Sequence, residues 1–468
     1  MDGTNPPTSE TARLIEEQRA AQRREGPPSA RLRIERLYEL EDMVRKRADA
    51  FADAISADFG NRSRFETSLL EVAVLISGIR HARKNVKWWM EPSHREVDLN
   101  FWPGAAWVRS EPLGVVGIVS PWNYPLQLAL APLCEALAGG NRCIIKPSEH
   151  TVNVSDLLKR AIRETFKQEV VAVVLGGPDV AADFTRQPFD HIVFTGSTSV
   201  GRKVARSAAE HLTPTTLELG GKSPAVICPS ASMAKAVKSI ALGKFLNAGQ
   251  TCIAPDYVLA PRERAMEFAE LAMAEARKLY PDLGPDYSSL ISVSAFDRMT
   301  AAVNEAEQGG AKVMRHPAPS DRERRILPPV VVVNPPQGSM LIRDEIFAPV
   351  LPIIGYDSLQ DALDWINSHP HPLALYVFAE DRREQSYVMD NTRSGGVTIN
   401  ATLLHFAQEG LPFGGVGASG WGAYHGKAGF DRFTHQRAIF RTGFVNPANW
   451  LAPPYGKRAR RLLRFLMR

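Results

Sequence analysis

The chain has 468 residues, 44% hydrophobic and 23% charged, which excludes a disordered or fibrous protein and, at this length, predicts two or three domains. Of its formal charge of +5, six positive residues (Lys457, Arg458, Arg460, Arg461, Arg464 and Arg468) lie in the last twelve positions with no acid among them. Without them the body carries a net −1, which leaves no electrostatic footprint for nucleic acid.

In chain order, the N-terminus lacks both a basic start and an apolar core segment, so no export or import signal is expected. Leu32 to Asp58 carries apolar residues at helical spacing among many charges, predicting helices packed over a domain. The most apolar stretch, Leu113 to Cys143, is broken by Pro121, Asn123, Pro125, Gln127, Pro132 and Glu135 and reads as buried core, not a membrane span.

From Glu111, β-rich runs alternate with helical ones: Val115–Val119, Leu126 to Leu137, Cys143–Ile145, Val154 to Phe166, Val170 to Leu175, His191–Phe194, Val200 to Glu210 and Thr215 to Leu219. Strand, helix, strand in this order predicts an open doubly wound α/β sheet, which binds ligands at the carboxyl ends of its strands. A second alternating series starts at Ala225–Cys228, runs through helices near Ala231–Phe245 and Ala265–Leu279, and closes with strands near Val330–Val333, Val350–Ile354, Leu375–Phe378 and Val397–Asn400. The junction is Glu218-Leu219-Gly220-Gly221-Lys222-Ser223-Pro224. At the C-terminus Ala459, Leu462, Leu463, Leu466 and Met467 share one face of a predicted helix and the cations the other, which suits either weak contact with an anionic membrane surface or docking on protein.

Cys134, Cys143, Cys228 and Cys252 contain no Cys-x-x-Cys pair; no disulfide framework and no metal site is expected, and a reducing cytoplasm suits them. Gly415-x-Gly417-x-x-Gly420 matches a dinucleotide fingerprint but follows no predicted strand and reads as a loop. Gly196-x-x-x-x-Gly201 lacks the lysine and hydroxyl of a P-loop, so nucleotide triphosphate hydrolysis is not expected. What remains there is a strand running into Thr195–Thr198 and a helix, where backbone N–H groups could hold a pyrophosphate.

A lone cysteine is more commonly an inert small hydrophobe than a nucleophile, and Cys252 is distinguished only by its company. Pro121–Pro125, Lys146–Glu149, Phe194–Ser197, Glu218–Lys222, Gly249–Cys252, Glu345–Pro349 and Pro412–Gly415, in that order, resemble the aldehyde dehydrogenase superfamily from about Glu111 to Phe433. Gln250–Tyr257, Pro285–Ser289, Ala423–Lys427 and Pro453–Lys457 are similar to its class 3 branch and the coniferyl aldehyde dehydrogenases.

The resemblance implies two doubly wound α/β domains plus a small β oligomerisation element: an NAD(P)-binding domain at 1–94 and 111–219, a catalytic domain at 220–401, a bridging element at 95–110 and 402–445, a basic tail at 446–468, and a homodimer. It further implies Cys252 as nucleophile, Asn123 with the Cys252 backbone N–H as oxyanion donors, and Glu218 as the base that activates water against the thioester. For the cofactor it implies Lys146 and Glu149 at the adenosine ribose, Gly196 and Ser197 at the pyrophosphate, Gly201 in the following helix, Glu345 at the nicotinamide ribose and Trp122 beside them. Glu149 favours NAD by repelling a 2′-phosphate, although Lys146 and Arg202 could soften that repulsion and admit NADP. Trp122, Tyr124, His405, Phe406 and Phe413 fall in segments that line the family's tunnel and point to an aromatic, coniferyl-like, or medium-chain aliphatic aldehyde.

Three other readings stay open on the residues: a membrane-associated fatty aldehyde dehydrogenase, a cofactor-free cysteine hydrolase or acyltransferase, and a silent binding protein. The hydrolase would pair Cys252 with a histidine, and none of the eleven histidines sits in such a motif.

Overall fold

A computed structural model describes residues 9–444, 446, 449 and 452–467, without the side chains of 465 and 466. Its strands begin with β1 (Ser93–Arg95) and β2 (Ala105–Pro112). Next come β3 (Val115–Val119), β4 (Arg142–Lys146), β5 (Val171–Val173), β6 (His191–Gly196) and β7 (Thr215–Leu219). After the junction follow β8 (Pro224–Ile227), β9 (Tyr257–Pro261), β10 (Lys312–Arg315), β11 (Val330–Val333), β12 (Val350–Tyr356), β13 (Ala374–Phe378) and β14 (Gly396–Ile399). The last two are β15 (Gly420–Trp421) and β16 (Thr434–Arg441).

They form three sheets. The first runs β15-β7-β6-β3-β4-β5, parallel except for β15; the second runs β10-β11-β12-β9-β8-β13-β14, parallel except for β10; the third is the antiparallel ribbon β1-β2-β16. The central strands β3, β4 and β7 are buried at every position, as parallel strands are when helices cover both sides; β3 is wholly apolar, whereas β4 begins and ends on Arg142 and Lys146 and β7 carries Thr215, Thr216 and Glu218. The helix Gln127–Gly139 is buried almost all round, while Val152–Thr165 shows one buried face carrying Val154, Leu158, Ala161 and Ile162. In the first sheet β3 leads to β4 and β5 on one side and the chain then returns to β6 on the other. The strand order therefore reverses between β3 and β6, and a crevice opens at their carboxyl ends.

The glycine loop expected near Gly415–Gly420 is a loop with one short 3₁₀ turn, and it delivers β15 to the edge of the first sheet with Gly420 opposite Glu218. A side chain at Gly420 would meet the Leu217 carbonyl at 1.8 Å, so only glycine fits. The charge-rich N-terminal segment folds as a helix, Glu10–Glu25, whose Leu14 and Ile15 are buried and whose Gln18 amide donates to the Cys143 and Gln168 carbonyls. The basic tail is helical over Lys457–Leu466; Ala459 is buried, whereas Leu463 and Met467 are exposed. Leu466 of its expected apolar face lies outside the described side chains. No helix among the described residues is long and apolar enough to cross a membrane, and the four cysteines are free.

Candidate active site

The chain leaves the first sheet at Leu219 and enters the second at Pro224, so the carboxyl edge of one faces the amino edge of the other. Glu218 is the penultimate residue of β7, Cys252 precedes β9 and Glu345 precedes β12. In the seam lies a cavity of about 570 Å³ whose walls include Trp122, Asn123, Gly196, Ser197, Glu218, Cys252 and Glu345. Seven of the ten expected site residues thus meet around one space. Lys146, the last residue of β4, and Glu149 lie beyond it, ion-paired at 2.8 Å with Lys146 buried. Gly201 packs its helix on β7, where a side chain would stand 2.6 Å from Leu219.

The turn before Cys252 is strained. Asn247, Ala248 and Gly249 all have left-handed backbones, with φ of 49°, 49° and 74°, a conformation that costs roughly 1–3 kcal/mol for each non-glycine residue. Buried hydrogen bonds hold it: the Asn247 N–H donates to Glu66 at 3.0 Å, the Gln250 amide donates to the Asn247 and Ser289 carbonyls, and the Ile291 N–H donates back to the Gln250 side chain at 2.9 Å. The Asn123 side-chain amide donates to the Gln250 carbonyl at 3.2 Å and so stands beside the cysteine turn.

Asn123 is itself held by residues that no motif announces. Arg62 is fully buried; one guanidinium nitrogen donates to the Asn123 carbonyl at 3.0 Å and to Glu71 at 2.8 Å, and its plane lies 4.7 Å from the Tyr124 ring. The other Glu71 oxygen accepts the Leu126 and Gln127 N–H groups at 2.9 and 3.1 Å, closing the start of the buried helix. Glu71 is aimed inward by a single π-helical stretch, Ser68–Ala73, which also turns Leu69 and Leu70 into the cavity. Breaking this pair by Arg62→Met should cost about 3–5 kcal/mol of stability, because a buried carboxylate loses the cation it is paired with; urea unfolding reads the loss, and a variant as stable as the parent contradicts it.

Burial dominates the electrostatics. It pushes the Cys252 thiol up to about 12, helped by the charges of Glu345 and Glu218, and pushes the Glu345 carboxyl up to about 8, helped by Asp256. Glu218 is raised well above the usual carboxylate range by burial, and neither of its oxygens has a hydrogen-bond partner among the described residues. In the cofactor-free pocket burial therefore works against ionisation of the thiol and of both carboxyls.

The remaining wall is mostly apolar and carries no further charged side chain. Leu128, Leu246, Phe406 and Phe413 join Trp122 and Tyr124 around the cavity, with the Phe406 and Phe413 rings edge to face at 4.9 Å. His405 departs from the expectation: it sits behind Phe413, bonded through Nδ1 to Thr398 at 2.8 Å, and does not line the cavity. The turn after β14 buries it, so it buttresses the wall as a neutral imidazole, which burial holds at about 4.

A family model described as "Aldehyde dehydrogenase family" matches residues 6–439. The "Probable coniferyl aldehyde dehydrogenase" of Caulobacter vibrioides is 44% identical over 461 residues, covering 96% of this chain and 95% of that one. Among solved structures, the substrate-bound state of Staphylococcus aureus AldH superposes with a TM-score of 0.92 at 34% identity, over 97% of this chain and 99% of that one. A Mycobacterium tuberculosis aldehyde dehydrogenase complexed with NAD+ superposes with a TM-score of 0.84 at 28% identity, over 94% and 92%.

Proposed function

The chain belongs to the aldehyde dehydrogenase family, and from that premise we propose that it oxidises an aromatic, coniferyl-like, or medium-chain aliphatic aldehyde to the carboxylic acid with NAD, through a thioester on Cys252. The observation that carries the reading is the convergence of Cys252, Glu218 and Asn123 on one cavity whose other end is the sheet crevice.

The residues fit a dinucleotide. The helix Thr198–Ala209 begins at the crevice with Ser197 as its N-cap, offering N–H groups and a positive helix end to a pyrophosphate. A side chain at Gly220 would fall 2.3 Å from the Glu345 carboxyl, so backbone and carboxyl pack closely where a ribose would rest. When bound, the nicotinamide cofactor supplies the hydride acceptor.

The chain's own groups do the rest. The Cys252 thiol gives its proton to Glu218 and its sulfur adds to the aldehyde carbon, and the resulting oxyanion is met by the Asn123 amide and the Cys252 N–H. After the hydride leaves that carbon, a thioester remains. Glu218, once deprotonated, takes a proton from water as the water oxygen attacks the acyl carbon; the C–S bond breaks, freeing the acid and restoring the sulfur. The apolar tunnel offers nothing to a charged substrate beyond Glu218 and Glu345 at its inner end, and the Caulobacter relative's name points to an aromatic one.

Incubation with NAD and a panel of cinnamic-type, medium-chain aliphatic and charged aldehydes tests the reading: reduced nicotinamide should form with the first two classes, and its absence throughout refutes the proposal. Cofactor choice is assigned to Glu149. Although burial works against it, the Lys146 ammonium holds this carboxyl below its ordinary range, so it is ionised and opposes a 2′-phosphate. Glu149→Gln should raise the ratio of kcat/KM for NADP over NAD by roughly tenfold, about 1.4 kcal/mol; an unmoved ratio excludes the assignment.

A further inference from the structure

Oxidation with hydrolysis frees two protons per turnover when the acid ionises, one from the thiol and one from water, and Glu218 can store only one. It must discharge between the steps, yet it is buried with both oxygens unpartnered among the described residues. A line of equally orphaned groups begins beside it.

Since Gly420 pairs with Glu218 across β15 and β7, the chain reaches Tyr424 four residues later on the cavity wall. Tyr424 is fixed by a two-way backbone bridge with Phe413 at 2.9 Å, and its hydroxyl is buried without a partner among the described residues. His425 follows in a left-handed backbone, φ 84°, with Nδ1 likewise unpartnered. The Gly426 N–H donates to Glu135 Oε1 at 3.1 Å, and Glu135 Oε2 has no partner. Glu135, Glu409, His425 and Gln127 line a second cavity of about 10 Å³, close to the room one water needs; Gln127 lines the large cavity as well. Glu409 is half-buried, at the outer end of this line.

Leaving a buried polar atom unsatisfied costs about 1–3 kcal/mol, so such a row is not explained by stability. Resting on the reading of Glu218 as base, we propose that Tyr424, the small cavity lined by the next residue, His425, and the Glu135 and Glu409 carboxyls carry protons from Glu218 to solvent. Tyr424 oxygen accepts the Glu218 proton as it releases its own toward the small cavity; Glu135 and Glu409 pass one on, and no bond to carbon changes. The phenol is raised by burial and then by the charges of Glu218, Cys252, Glu135 and Glu409. Burial sets Glu409 at about 7, where a carboxyl both takes and gives protons near neutrality.

The test compares the full-length protein with Tyr424→Phe, which keeps the ring, and Glu135→Gln and Glu409→Gln, which keep an acceptor oxygen. With NAD and a turned-over aldehyde, each variant should show a burst of reduced nicotinamide of about one equivalent followed by turnover at least about tenfold slower. The solvent deuterium effect on that slow phase should grow, and added imidazole should restore it. Turnover like the parent's in all three variants overturns the relay, as does a slow phase with neither a burst nor rescue. If the parent makes no reduced nicotinamide, or Cys252→Ser makes as much, it is the functional reading that fails.

Discussion

Replacing Cys252 with serine is expected to lower the rate of nicotinamide reduction by at least about a thousandfold, roughly 4 kcal/mol of transition-state stabilisation, while leaving the unfolding free energy within about 0.5 kcal/mol of the parent's. The two side chains are nearly isosteric, but a hydroxyl in this pocket cannot be ionised by a carboxyl, and without addition to the carbonyl there is no alkoxide to expel hydride. Stopped-flow absorbance reads the first turnover, and a serine variant with a parent-like burst would sink the assignment. The same thiol carries a pH signature. With burial, then Glu345 and Glu218, pushing it to about 12, the thiolate fraction in the cofactor-free protein should rise about tenfold per pH unit across the neutral range. Alkylation of Cys252 by iodoacetamide should follow that slope; a plateau near pH 7 would mean the thiolate is already formed.

Glu218→Gln carries the second large effect. Steady turnover should fall by about 10²–10⁴-fold, the range for a lost general base. If another base takes the thiol proton, a first burst survives and the thioester accumulates, trapped as an acylated Cys252 visible by mass spectrometry of the quenched protein. Because burial raises the Glu218 carboxyl well above its ordinary range, the parent should deacylate faster as pH rises and the carboxylate forms, and the glutamine variant should lose that dependence. A variant whose deacylation keeps the parent's rate and pH profile removes Glu218 from the role.

The contrast between Asn123 and Arg62 shows where the sequence stops being legible. Asn123 lies within five consecutive residues that resemble a known family, so it could be named from the chain. Arg62, which holds it, comes from a charge-rich segment 61 positions earlier, where a buried arginine and a solvated one look alike. Glu71 was equally hidden, because one π-helical stretch, which no periodicity marks, rotates it inward. Tyr424 reached the cavity wall that Glu218 also lines after the pairing of two-residue β15 with β7, a contact too short to leave an alternation. His405 misled for the opposite reason: it shares an apolar segment with Phe406, and only the packing decides which of the two rings faces the cavity.

Local chemistry alone settled the two alternating α/β series, the junction at Gly220 and Gly221 and the presence of a thiol, an amide and a carboxyl in family-like order, because strand runs, breakers and motifs are written in neighbouring residues. Tertiary structure decided which groups are dry, which are paired and which are left without partners. Those properties arise from contacts between segments tens to hundreds of residues apart, and the loss of water there raises carboxyls such as Glu218 and Glu409 above the range of a solvated surface acid.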